Sequence, residues 1–212
     1  MAKTTPALAA TVPASAMAPR LLVVGCGNLL AGDDGAGVEV VERLVEAGVE
    51  GCQLCLMPSG GVDLLEMFPS ADVILFVDAV TSGAPAGTLH LIPLPAAEVA
   101  ARAPGPVSGG DEDIAATAVV PRAVGSLSSH GLGLLETFEL ARTLGRHLPR
   151  VILLGVEIGE VTPGAPRTPA VDRALATIVH GFSRLQSLVA DLDSSLWRTA
   201  RQFPPEDHSF PG

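Results

Sequence analysis

The sequence predicts an α/β fold of three layers, in which helices cover both faces of a twisted, mostly parallel five-stranded sheet with one antiparallel strand at its edge. Three observations carry this expectation. Apolar runs of strand length recur along the chain, segments with helical spacing of apolar residues alternate with them, and glycine- or proline-rich turns separate the two. Such alternation gives parallel pairing with helices on either side.

Residues 21–25 (LLVVG) are apolar throughout, as a buried parallel strand requires. After a glycine-rich loop, Val38, Val41, Leu44 and Val45 recur at helical spacing and predict a helix over 34–47, with Gly48 placed to stop it. Residues 53–57 read as a second strand and 62–68 as a short helix. The stretch ADVILFVD, 71–78, is the clearest buried strand. The strand TLHLIP, 88–93, follows through TSGAPAG, a loop too short for a crossover helix, so it is expected to run antiparallel to its predecessor at the sheet edge. Residues 129–147 predict a helix with Leu134, Phe138, Ala141 and Leu148 along one face, and RVILLGVE, 150–157, is the last strand. Thr168 and Pro169 read as N-cap and first residue of a final helix reaching about residue 192.

These elements make one domain over 21–193. Residues 1–20, rich in Ala, Thr and Pro, are expected to form a disordered extension; Pro6 and Pro13 interrupt any apolar core of a signal peptide. The Pro/Gly/acid-rich stretch 95–125 is expected to be a long flexible loop, and 194–212 a C-terminal tail.

Composition narrows the function. With 23 Asp and Glu against 13 Lys and Arg, the formal net charge of -10 opposes non-specific nucleic-acid binding, and six Phe, one Trp and no Tyr offer few platforms for base stacking. No apolar run is long enough to span a bilayer, so neither nucleic acid nor membrane is an expected partner. Three cysteines do not make a disulfide framework and fit a reduced, cytoplasmic setting. Cys52 and Cys55 form a CxxC, but residues three apart on a strand point to opposite faces. The expected reading is two small core residues.

In open α/β sheets ligands bind beyond the carboxyl ends of the strands. Three sets of candidate ligands fall there: Asp33 and Asp34 after the first strand, Asp78 at the end of ADVILFVD, and His130 at the opening of SSHGLGLLE. Two carboxylates and an imidazole from separate elements can give a divalent cation three ligands and leave a position open. Each residue also has an ordinary structural role available. Asp33 can cap the helix beside it, which is its expected main role, and Asp34 can complement the helix dipole. Asp78 can cap the following loop, and His130 can be a polar residue of a first turn.

The loop GCGNLLAGDDGAG invites a phosphate reading, but a dinucleotide fingerprint needs a glycine where Leu30 stands, and no Walker lysine follows. A phosphate at this helix start would also meet two carboxylates. Nor is there an evident nucleophile. Cys26 has no histidine near it in sequence, and Ser128 and Ser129 flank His130 without facing it.

GCGNLLAGDDGAGVEVVERL, FVDAV before a Gly/Pro turn, and SSHGLGLLE together resemble the hydrogenase maturation endopeptidases, in the same order and over about 21–188. The resemblance implies a five-stranded sheet between helical layers and a protease that trims the C-terminal extension of a nickel-iron hydrogenase large-subunit precursor after nickel insertion. It implies that Asp34, Asp78 and His130 contact the metal and carry the chemistry, with nickel arriving on the substrate rather than as a permanent cofactor. Another divalent metal such as zinc or cadmium is then expected to occupy the same residues in vitro. Many relatives have Glu at the position of Asp34 and an Asp-Gly pair in the stretch that here reads LMPS. The implied partner is the precursor, and the expected oligomeric state is a monomer. The alternative from a different class is a non-catalytic metal- or nucleotide-binding α/β module. The cluster Asp111, Glu112 and Asp113 in the long loop is read as solvated, with a precursor-docking flap as the sharper reading.

Overall fold

Strand β1 (Leu21–Cys26) is buried at every position and lies between β2 (Cys52–Met57) and β3 (Val73–Val80), parallel to both. The computed structural model describes residues 20–57, 62–94, 129–190 and 201–203. Strand β5 (Arg150–Glu157) pairs parallel with β3, and β4 (Leu89–Leu94) pairs antiparallel with β5. The sheet order is β2-β1-β3-β5-β4-β6, where β6 is the short strand Arg201–Phe203.

The five expected strands and the antiparallel direction of β4 are present. Two details of the edge differ. Strand β4 runs antiparallel to β3 but does not pair with it, because β5 lies between them. It is also not the outermost strand. Residues 201–203, within the expected C-terminal tail, add to β4 antiparallel, with Leu89, His90 and Leu91 opposite Phe203, Gln202 and Arg201. The added strand stops before Pro93, so the missing N–H of that proline costs no bond to β6.

Alternation along the strands divides the core. Val23, Val73, Leu75, Val77, Leu154 and Val156 face one side. There they meet α1 (Ala36–Glu46), α3 (Pro169–His180) and α4 (Phe182–Ala190). Leu22, Val24, Cys26, Ile74, Phe76 and Leu153 face the other. That side is covered by α2 (Ser129–Thr143) and two short 3-10 turns, Val62–Glu66 and Phe68–Ser70. Phe68 and Phe138 lock this layer with ring centroids 4.7 Å apart. The CxxC separates as the pleat requires: Cys52 belongs to the first cluster, and Cys55 packs against the second.

The expected final helix is two helices. Thr168 caps α3 through its side chain, accepting from the Val171 N–H, and Pro169 opens the helix. Gly181 then interrupts the run before α4, glycine being poorly suited to a helix interior. The expected helix over 62–68 is the pair of 3-10 turns. The readings of 1–20, Arg20 apart, of 95–125, and of 194–212 outside Arg201–Phe203 fall on residues beyond those described.

Candidate functional site

The glycines of the loop after β1 serve close packing. A Cβ on Gly37 would stand 2.1 Å from the Val77 carbonyl oxygen and 2.5 Å from that of Cys26. A Cβ on Gly25 would stand 2.2 Å from the Gly37 carbonyl oxygen. Helix α1 therefore starts directly on the backbones of β1 and β3. Gly27, at φ 131°, sits against the Asp34 carbonyl at a would-be Cβ distance of 2.0 Å. The glycine faces that would admit a pyrophosphate are filled by the chain's own backbone, which weighs against the nucleotide-binding alternative.

This packing carries Asp34 to the carboxyl end of the sheet. Asp34 lies in a 3-10 turn, Gly32–Gly35, that leads into α1 and touches β3. Its side chain is half-buried, and no described residue donates a hydrogen bond to its carboxylate. Asp78 sits two residues before the end of β3, since the strand runs on to Val80 instead of stopping at the aspartate. It is fully buried, and its Oδ1 accepts the N–H of Ala79 at 2.9 Å. It shares a face of the sheet with Ile74, Phe76 and Val80, the face covered by α2. His130 is the second residue of α2, and its side chain lies outside the described part of the structure. The turn that carries Asp34 and the strand that carries Asp78 thus touch at the carboxyl end of the sheet. Among the described residues no set of three or more His, Cys, Asp or Glu side chains could hold a metal ion.

Asp33 does not cap its own helix. The 3-10 turn starts from Ala31 and α1 from Gly35, neither with a side-chain cap. The Asp33 carboxylate is completely buried and accepts four hydrogen bonds from the other side of the site: Gly159 N–H at 3.0 Å, Glu160 N–H at 3.0 Å, Thr168 N–H at 2.7 Å and Thr168 Oγ1 at 3.0 Å. It competes poorly as a metal ligand, because its lone pairs are already taken.

Two further polar residues escape a reading of the sequence. His90 on β4 and Glu157 at the end of β5 are both buried, with His90 Nε2 2.9 Å from Glu157 Oε2. Glu157 also accepts from Ser82 N–H at 2.7 Å, Ser82 Oγ at 2.7 Å and Gly83 N–H at 2.9 Å. The pair fixes the connection that carries the chain from β3 to β4 across the end of β5. The signal was a charged residue closing the apolar run RVILLGVE and a histidine inside TLHLIP.

Cys26 shares the face of Asp78 but is no nucleophile. Burial, reinforced by the Asp78 carboxylate, pushes its thiol far above the usual range and keeps it protonated.

The hydrogenase expression/formation protein HupD of Rhodobacter capsulatus is 30% identical over 170 residues, covering 76% of this chain and 70% of that protein. The chain belongs to the hydrogenase maturation endopeptidase family. HupD of Thiocapsa roseopersicina is 32% identical over 170 residues, covering 74% of this chain and 66% of the relative. Among solved structures, the hydrogenase maturating endopeptidase HybD from Escherichia coli aligns with a TM-score of 0.56 at 23% identity, over 82% of this chain and 99% of that one. That likeness supports the fold. No protein-family profile matches the chain. The chain spans 66%, 60% and 60% of the length of three of the curated relatives it matches. Among the described residues no helix is long and apolar enough to cross a membrane. The three motifs read from the sequence lie on the loop after β1, on β3 and at the start of α2.

Proposed function

We propose that this chain is an endopeptidase that removes the C-terminal extension of a nickel-iron hydrogenase large-subunit precursor after nickel insertion. In this reading Asp34, Asp78 and His130 recognise the nickel carried by the precursor. The observation that supports it most is that the turn carrying Asp34 touches β3, the strand that carries Asp78 near its carboxyl end. The name of an Escherichia coli relative, hydrogenase 2 maturation protease, matched over 82% of its length at 27% identity, points the same way.

Two carboxylates and an imidazole suit a borderline divalent cation and leave positions for the precursor's own ligands. The cation belongs to the substrate, and holding it holds the precursor. Bridging then places the scissile peptide against the carboxylates and makes the attack effectively unimolecular. Water adds to the scissile carbonyl carbon as a carboxylate takes its proton. The C–N bond breaks with that proton delivered to the leaving amine. The protonated, buried Cys26 thiol takes no part.

Incubating the chain with the nickel-loaded precursor and reading the precursor's mass tests the proposal. The parent chain shortens the precursor, while Asp34→Asn, Asp78→Asn and His130→Ala each remain folded and slow trimming at least about 100-fold, the scale of losing a group used in the transition state. A precursor left at full length by the parent chain would support the non-catalytic alternative. Normal trimming by one variant would remove that residue from the assignment.

A further inference from the structure

Asp33 and Asp34 are adjacent in sequence, yet one is completely buried and saturated while the other is half-buried without a described partner. The turn that carries both, Gly32–Gly35, has no side-chain cap of its own. Its geometry therefore depends on what holds it from outside.

What holds it is the loop between β5 and α3. The Asp33 carboxylate takes the N–H groups of Gly159, Glu160 and Thr168 and the Thr168 hydroxyl, all between 2.7 and 3.0 Å. In return the Asp33 N–H donates to the Glu160 carbonyl at 2.9 Å. Gly164 N–H donates to the Leu30 carbonyl at 2.7 Å, so the two loops are joined on both sides of the carboxylate. Gly32, at φ 59°, allows Glu160 O to lie 2.9 Å from its would-be Cβ. On the opposite side, Gly27 packs against the Asp34 carbonyl. The turn carrying Asp34 is thus gripped between Gly27, just past β1, and a loop more than a hundred residues away in sequence.

We infer that Asp33 is a positioning residue for Asp34: its carboxylate locks the loop after β1 to the β5–α3 loop, so that the neighbouring carboxylate presents to substrate from a fixed backbone. Thr168 is its partner, because one side chain both caps α3 and donates to Asp33. The functional consequence rests on the reading of Asp34 given above. Charge-assisted bonds of this kind are strong and directional, and a catalytic group needs placement within a fraction of an ångström.

Asp33→Asn is the sharp variant. Whichever way the amide turns, an NH2 replaces one oxygen and faces a donor. Hydrogen exchange tests the positioning directly. The amides of Asp33 and Asp34 exchange at least about tenfold faster in Asp33→Asn, while those of β1 and β3 keep their parent rates. An unchanged Asp34 amide overturns the inference whatever the activity. Trimming kinetics, measured below the unfolding temperature of every variant, give the second readout. Asp33→Asn lowers kcat about 10- to 100-fold with KM within about threefold, Thr168→Val lowers it by less, and Thr168→Ser, which restores the hydroxyl, returns it to within about twofold. A Leu185→Ala control lowers the unfolding temperature through the distant helical layer and keeps the parent kcat. If Asp33→Asn keeps kcat within about twofold, or if the control loses as much, the inference fails. Normal trimming by Asp34→Asn fails the underlying reading instead, and leaves the exchange result to decide the role of Asp33.

Discussion

Gly37 rests on the carbonyl oxygen of Val77 so closely that a Cβ on the glycine would stand 2.1 Å from it. This contact seats α1 on β3 one residue before Asp78. The glycines that resemble a phosphate loop are spent on bringing a helix and two strands together.

Gly37→Ala therefore acts on the fold before it acts on the site. The neighbouring atoms are backbone carbonyls of Val77 and Cys26, which cannot swing aside. The expected cost is about 3 kcal/mol or more, at or beyond the upper end for overpacking. Thermal or denaturant unfolding checks it. Gly48→Ala is the contrast: its would-be Cβ meets nothing within 4 Å, and the cost is confined to its positive φ.

The buried His90–Glu157 pair predicts an asymmetry. His90→Ala leaves Glu157 with its bonds from Ser82 and Gly83, and should cost about 1–3 kcal/mol. Glu157→Ala strands the Ser82 and Gly83 amides and the His90 ring together, and should cost more, about 3–5 kcal/mol. Equal losses in chemical denaturation would mean that Glu157 is not the hub of this corner.

The thiols should be inert in the folded protein. Burial pushes Cys52 up to about 11 and raises Cys26 and Cys55 as well, so all three are protonated near neutral pH. Alkylation at about pH 8 should be slow in the native state and rapid in denaturant, as mass spectrometry would record. Cys26→Ala should trim precursor within a few-fold of the parent rate.

An ion-pair network joins α1 to α3: Arg43 bonds Glu39 and Asp172, and Arg167 lies 3.1 Å from Glu39. The hydrogen bond from Arg43 holds the Asp172 carboxyl below its usual value of 3.8. A depressed folded value means that the stabilisation is present above about pH 4 and is lost as pH falls through the folded value. The side chain of Asp172 is 53% exposed, so the contribution is small, about 0.2–1 kcal/mol. Asp172→Asn should be less stable than the parent near neutral pH and equal to it in strong acid, as melting curves across pH would reveal.

The sequence made the local features legible. Unbroken apolar runs located β1, β3 and β5, the period-2 rule sent Cys52 and Cys55 to opposite faces, and Thr168 with Pro169 marked the start of α3. The rule that ligands bind beyond the carboxyl ends of parallel strands pointed to Asp34 and Asp78. What stayed hidden depends on contacts distant in the chain. The donors to Asp33 lie 126 to 135 residues away, so a cap was the natural local reading and the loop clamp was not visible. The insertion of β5 between β3 and β4, and the pairing of Arg201–Phe203 with β4, follow from the same kind of distant partner. His90 and Glu157 look like polar intruders until their strands are side by side.

The central claim is that the nickel seen by Asp34, Asp78 and His130 belongs to the precursor. The most direct measurement compares the mass of nickel-loaded and nickel-free precursor after incubation with the parent chain and with Asp34→Asn. The account predicts that only the loaded precursor is shortened, and only by the parent chain. Equal shortening of the nickel-free precursor, or shortening of the loaded one by Asp34→Asn, would contradict it.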